Sequence, residues 1–116
     1  MEAMALKKYI RSSPRKMRLV IDLIRGKHVG EALTMLRFST KHAAKDAEMV
    51  LRSAIANLEL KAKAAESHFD DSQVIVKTAF VNQGPAMKRV LPAPMGRAYR
   101  IKKRSNHLTI VVATKN

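Results

Sequence analysis

Between Ser72 and Asn116 the chain has 45 residues, nine basic side chains and no acid. The nine are Lys77, Lys88, Arg89, Arg97, Arg100, Lys102, Lys103, Arg104 and Lys115; seven of them fall between Lys88 and Arg104. Such a segment cannot neutralise itself. A folded domain rarely tolerates such a one-sided field on its own. A polyanion answers the imbalance, and nucleic acid carries its phosphates at high linear density.

The ends of this segment read as strands. Val74 to Val81 and Leu108 to Ala113 are rich in β-branched residues. The one good reversal between them is Pro92-Ala93-Pro94-Met95-Gly96. A turn centred on Pro94 sets Val74 near Thr114, Phe80 near Leu108 and Lys88 near Arg100. Each arm is then about 18 residues, or roughly 60 Å at ~3.3 Å per residue. A compact domain of this size has a radius of gyration of only ~13–14 Å. The distal half of the hairpin must therefore project. It has too few large apolar residues to bury a face, and an isolated two-stranded ribbon is marginal in water. A partner must order it. At 116 residues the chain is a single domain, divided into a globular body (1–83 and 105–116) and an extended β-hairpin at about 84–104.

The first half is helical. Residues 5–11 suit an edge strand. Ser13-Pro14 is a helix start, with Ser13 as N-cap and Pro14 at the first helical position. Met17, Val20, Ile21 and Ile24 follow at helical spacing, and Gly26 stops the helix. Val29, Ala32, Leu33 and Leu36 mark a second short helix. Ser39 or Thr40 caps a third, running to about Ala65. Its stripe is Ala43, Ala47, Val50, Leu51, Ala54 and Leu58, and Glu48/Arg52 and Glu59/Lys63 pair on its wet side. Ser53 and Asn57 edge that stripe, as small polar residues beside a core or as a smooth surface for RNA or another element. His68 to Asp71 reads as a loop.

Enzyme chemistry finds no support. His28, His42, His68 and His107 lack ligand spacing, and Asp70-Asp71 is a solvated turn rather than a carboxylate site. No glycine-rich phosphate loop and no nucleophile–base pair is present, so no catalytic residue, metal or cofactor is expected. There is no cysteine, and no apolar run long enough to span a bilayer. The amino-terminal residues lack the apolar stretch of a signal peptide. This suits a cytoplasmic protein.

The basic residues form two clusters. One is Lys7, Lys8, Arg11, Arg15, Lys16, Arg18, Arg25 and Lys27; the other is the hairpin set of Lys88, Arg89, Arg97, Arg100, Lys102, Lys103 and Arg104. With a formal net charge of +14, the chain exceeds what solubility needs. Arginine grips phosphate bidentately and lysine acts as a point charge. The aromatics are few (Tyr9, Tyr99, Phe38, Phe69, Phe80). Shape and phosphate recognition of folded RNA fits better than stacked reading of single-stranded bases.

Several runs occur in a fixed order: Ser13-Pro-Arg-Lys16, Ile24-Arg-Gly-Lys27, Ala32-Leu33 with Leu36 and Phe38, Ser53-Ala-Ile-Ala-Asn57, Gly84-Pro85, Lys88-Arg89, Gly96-Arg-Ala98 and Lys103-Arg-Ser-Asn-His107. Together they resemble the family of large-subunit ribosomal protein twenty-two, in its bacterial type, over nearly the whole chain. The resemblance implies an α+β fold: three helices packed on a three-stranded antiparallel sheet, with the long basic hairpin projecting from it. It implies a structural constituent of the large ribosomal subunit that binds large-subunit (23S-type) rRNA, aids assembly and lines the nascent-peptide exit tunnel. Its partners are then rRNA, neighbouring large-subunit proteins and the nascent polypeptide. The tip that lines the tunnel is Pro92, Ala93, Pro94, Met95 and Gly96. It departs from the Pro-Arg-Ala plus basic residue frequent in the family, so the tip is neutral.

Two other classes fit less well. A DNA-bending architectural protein also uses basic β-ribbon arms ending in proline, but it needs a dimerising core. Nothing here reads as a dimer seam, and no homo-oligomer is expected. A membrane-active cationic protein needs a strongly basic amphipathic helix, whereas the longest helix is nearly charge-balanced.

Overall fold

A computed structural model describes residues 1–66, 70–92, 94–96 and 98–114. The elements run β1 (Glu2–Ile10), α1 (Pro14–Ile24), α2 (Val29–Arg37), α3 (Ala43–Ala64), β2 (Val74–Gln83), β3 (Met87–Pro92), β4 (Ala98–Lys103) and β5 (Asn106–Thr114). Single 3₁₀ turns lie at Asp71–Gln73 and Pro94–Gly96. The fold is α+β. One antiparallel sheet has the order β1-β5-β2; a second, two-stranded, is β3-β4.

The core follows from period and size. Leu108, Ile110 and Val112 alternate inward along central β5, flanked by Ala3 and Ala5 of β1 and by Val74 and Val76 of β2. Alanine at both β1 positions lets α3 approach closely. Met17, Ile21 and Ile24 of α1 and Leu51, Ala54 and Leu58 of α3 are fully buried against that face. The stripes expected for α1 and α3 are the stripes found.

The helix ends show where local rules suffice. Ser13 Oγ accepts the Lys16 amide at 3.3 Å, Pro14 opens α1, and Gly26 follows its end at φ 81°. At α3 the local rule fails. Ser39 Oγ accepts the Lys41 amide instead, closing a local turn, and the helix begins at Ala43. Its first amides use i→i−3 carbonyl bonds, Ala44 to Lys41 and Lys45 to His42.

Both edges of the body sheet are covered. β1 is an edge strand, as expected, and starts earlier than residue 5 because Ala3 already packs inward. Asn57 Nδ2 donates to Met4 O at 2.9 Å, and Lys61 Nζ donates to Glu2 O at 2.7 Å. Asn57 thus serves another protein element. On the β2 edge, Gly26 N–H donates to Val76 O and Val76 N–H to Lys27 O, both at 2.9 Å. Further along, Arg25 donates to Ala79 O twice (2.8 and 3.1 Å) and Arg18 to Val81 O at 3.0 Å. Unpaired edge groups invite strand addition, and these contacts occupy them.

The hairpin register agrees with expectation at its base, where Val74 faces Thr114. It then drifts: Phe80 faces Thr109 and Lys88 faces Lys102. The first arm gains a residue at the irregularity between Val76 and Thr78, and another between Gln83 and Met87. Pro85, which has no amide hydrogen, interrupts the ladder at the second place. The reversal is therefore centred on Met95, not Pro94. Met95 (φ 63°) and Gly96 (φ 74°) both take the left-handed conformation there. The molecule measures 67 × 25 × 16 Å with a radius of gyration of 17.6 Å, well above the ~13–14 Å of a globular chain of this length.

Candidate nucleic-acid interface

The ribbon β3-β4 carries its charge on both faces. Alternation sets Arg89 and Lys103 on one side and Lys88, Arg100 and Lys102 on the other. Lys88 and Lys102 are directly opposite, an arrangement that costs free energy until an anion lies between them. Lys88, Arg89, Arg100, Lys102, Lys103 and Arg104 are all exposed, and none makes an ion pair with a described residue. Every described β3 side chain is exposed too, including Val90 and Leu91. The ribbon has no core of its own.

The tip presents Pro94, Met95 and Gly96, all exposed, with Met95 at 95%. Pro92 pairs with Ala98 at the end of the ladder. Arg97 and Ala93, both among the expected contacts, lie outside the described residues, as do His68 and Phe69 of the expected loop.

The root of the hairpin is a close joint. Gly84 N–H donates to Ser105 O, and a Cβ on Gly84 would meet Ser105 Oγ at 2.6 Å. Ser105 Oγ in turn donates to Pro85 O at 2.6 Å. Asn106 is fully buried, and its Nδ2 donates to both Ser12 O and Ser12 Oγ at 2.8 Å. That bond ties the segment before α1 to the start of β5. Asn106 Oδ1 has no partner among the described residues.

The body cluster divides in two. Lys8, Arg11, Arg15 and Lys16 are exposed and free of ion pairs with described residues. The other four are engaged. Lys7 meets Asp46 at 2.9 Å, Arg25 meets Asp22 at 2.8 Å, Lys27 meets Glu31 at 3.8 Å, and Arg18 and Arg25 bond the β2 carbonyls described above. Lys77, on β2 of the body sheet, pairs with Glu2 of β1; that hydrogen bond and its charge hold the Glu2 carboxyl below its usual range.

Three contributors escape a reading of the sequence. Lys41 and His42 share a groove of about 510 Å³ with Arg11 and Lys16, at the junction of α1 and α3. Tyr9 stands at the hairpin root, beside a larger groove of about 720 Å³ that also holds Arg11, Arg89 and Arg104. Tyr9 and Arg89 are 80 positions apart, so no local spacing reveals them.

Among the described residues no group of three His, Asp or Glu side chains could hold a metal, and no helix is long and apolar enough to cross a membrane. Fold and charge define a small basic α+β protein with a projecting ribbon. The chain belongs to the family Ribosomal protein L22p/L17e, whose model matches residues 5–113. It is 51% identical over 112 residues to the Large ribosomal subunit protein uL22 of Chlorobaculum tepidum, covering 97% of this chain and 92% of that one. Against the protein of the same name from Chlorobium phaeobacteroides it is 50% identical, covering 100% of this chain and 97% of that one. Against that of Solibacter usitatus it is 51% identical, covering 99% and 98%. It is a structural protein of the ribosome, not an enzyme.

Proposed function

We propose that this chain is a constituent of the large ribosomal subunit, held there by large-subunit rRNA around its ribbon and its Lys8–Lys16 face. The observation that carries the reading is the ribbon itself. Five described cations project on a two-stranded sheet with no acid and no buried face, and Arg104 follows directly after it; such a ribbon becomes stable when phosphates neutralise it. Kinship with large-subunit proteins over the full chain supports the choice of polyanion. The phosphate ligands are Lys8, Arg11, Arg15, Lys16, Lys88, Arg89, Arg97, Arg100, Lys102, Lys103 and Arg104. Lys7, Arg18, Arg25 and Lys27 act at the margin, because each already has a protein partner.

The neutral tip has a separate task. Flanking cations anchor the ribbon, and Pro92 to Gly96 presents apolar surface to the lumen of the peptide exit tunnel, where it does not trap a charged nascent chain. Neighbouring large-subunit proteins meet the body, and the ribbon aids assembly by bridging RNA segments.

Sedimentation tests the reading. Full-length protein should co-migrate with large subunits at moderate salt, and a chain with 86–103 replaced by a short turn should not. Equal incorporation of both would end the anchoring role of the ribbon. Deleting Ala93-Pro94-Met95 should leave incorporation near normal while changing macrolide inhibition or nascent-chain stalling. Lost incorporation with unchanged drug response would make the tip an RNA anchor.

A further inference from the structure

Tyr9 occupies the irregularity of β1 between Lys7 and Ile10, at φ 59°. That left-handed conformation is strained for a bulky side chain, and glycine or asparagine holds it more easily. The strain is imposed from outside. Tyr9 N–H donates to His107 Nδ1 at 3.0 Å. The two rings meet edge to face, 5.0 Å between centroids and 89° between planes. Yet the tyrosine remains 64% exposed. The free protein thus keeps a strained backbone in order to hold an aromatic ring largely in water.

What surrounds the ring indicates a use. It borders the groove at the hairpin root, with Arg11, Pro85, Met87, Arg89 and Arg104. An edge-to-face contact occupies one ring's edge and the other's face, so at least one face of the phenol is open. An open aromatic face beside several cations is the chemistry that receives an unpaired base and its flanking phosphates. The groove volume, about 720 Å³, lies within the range of small-ligand sites.

We propose that Tyr9 and the root groove hold one RNA nucleotide swung out of a loop or bulge, its base stacked on the Tyr9 ring and its phosphates met by Arg11, Arg89 and Arg104. This deepens the rRNA-binding reading and rests on it. It adds a single stacking position to a protein that otherwise grips phosphate, and the sheet irregularity exists to present it.

The test uses the full-length chain as wild type, Tyr9→Phe and Tyr9→Gly, titrated with large-subunit rRNA fragments over a range of salt. Tyr9→Phe should bind within about twofold of wild type. Tyr9→Gly should melt no lower than wild type, since glycine relieves the strain, yet bind roughly 5-fold or more weakly with an unchanged salt slope, because stacking releases no counterions. Tyr9→Asn, also tolerant of this conformation, should repeat the loss. Chemical probing should show one nucleotide protected by wild type and released in Tyr9→Gly, with the ribbon footprint intact. Wild-type affinity in Tyr9→Gly, or a weakening that flattens the salt slope, overturns the stack while leaving rRNA binding standing. Failure of wild type to bind any such fragment removes both readings together.

Discussion

The body sheet and the ribbon use the same residue types for opposite ends. In the body, Arg18 and Arg25 cover the carbonyls of β2, Lys61 covers β1, and Lys7, Lys27 and Lys77 face carboxylates. In the ribbon, Lys88, Arg89, Arg100, Lys102, Lys103 and Arg104 meet no carboxylate among the described residues. Those body cations are occupied within the fold; the ribbon cations, like Lys8, Arg11, Arg15 and Lys16 of the body, make no ion pair with a described residue. Apolar residues divide likewise: Leu51 is fully buried, whereas Leu91 is 49% exposed.

That contrast breaks most visibly with one carboxylate placed in each region. Leu51→Asp should abolish the cooperative melt, since an unpaired buried carboxylate costs several kcal/mol, comparable to the stability of a small domain. Leu91→Asp should leave the melt within about 0.5 kcal/mol of wild type. A circular-dichroism melt in which both behave alike would dissolve the distinction between core and ribbon.

A smaller effect separates the arginines. Arg25→Ala removes two bonds to Ala79 O and one to Asp22, and should cost about 1–3 kcal/mol in urea unfolding. Arg89→Ala should cost almost nothing there, but weaken binding to rRNA fragments. Equal stability losses would show that the ribbon cations serve the fold.

Arg100→Glu sharpens the ribbon side alone. Affinity should fall for every structured rRNA fragment, and the salt slope should drop by about one for each phosphate that is no longer neutralised. Glu48→Gln, on the wet face of α3, serves as a control and should leave the slope unchanged. A slope untouched in Arg100→Glu would remove that residue from the phosphate ligands.

The slightest effect is the Glu2–Lys77 pair. The folded pKa of Glu2 is lowered, so its contribution is present above the unfolded value and fades as pH falls through the carboxylate range. Glu2→Gln should lower the melting temperature a little at pH 7 and not at all at pH 2. A difference that persists at pH 2 would assign the effect to packing.

Much of this protein is legible from local pattern. Ser13-Pro14 caps α1 because cap, proline and amide are within a few residues of each other. The buried stripes of α1 and α3 follow from helical period alone. The projecting hairpin follows from arm length and from an acid-free composition that no core could absorb. The α3 start escapes local pattern because Ser39 has a closer amide to accept, and the turn centre because an extra residue enters the first arm at two places.

What the sequence by itself determined is the inventory: how much charge, where it runs unopposed, which periods make helix and which make strand. Only the tertiary structure decided employment. Arg25 reaches the Ala79 carbonyl across 54 positions of chain, and Tyr9 meets His107 across 98. Those contacts are set by how helices seat on a twisted sheet and by single-residue slips in register. A sequence states the charge of an arginine, but its free or occupied state depends on distances of about 3 Å that arise only when remote segments pack.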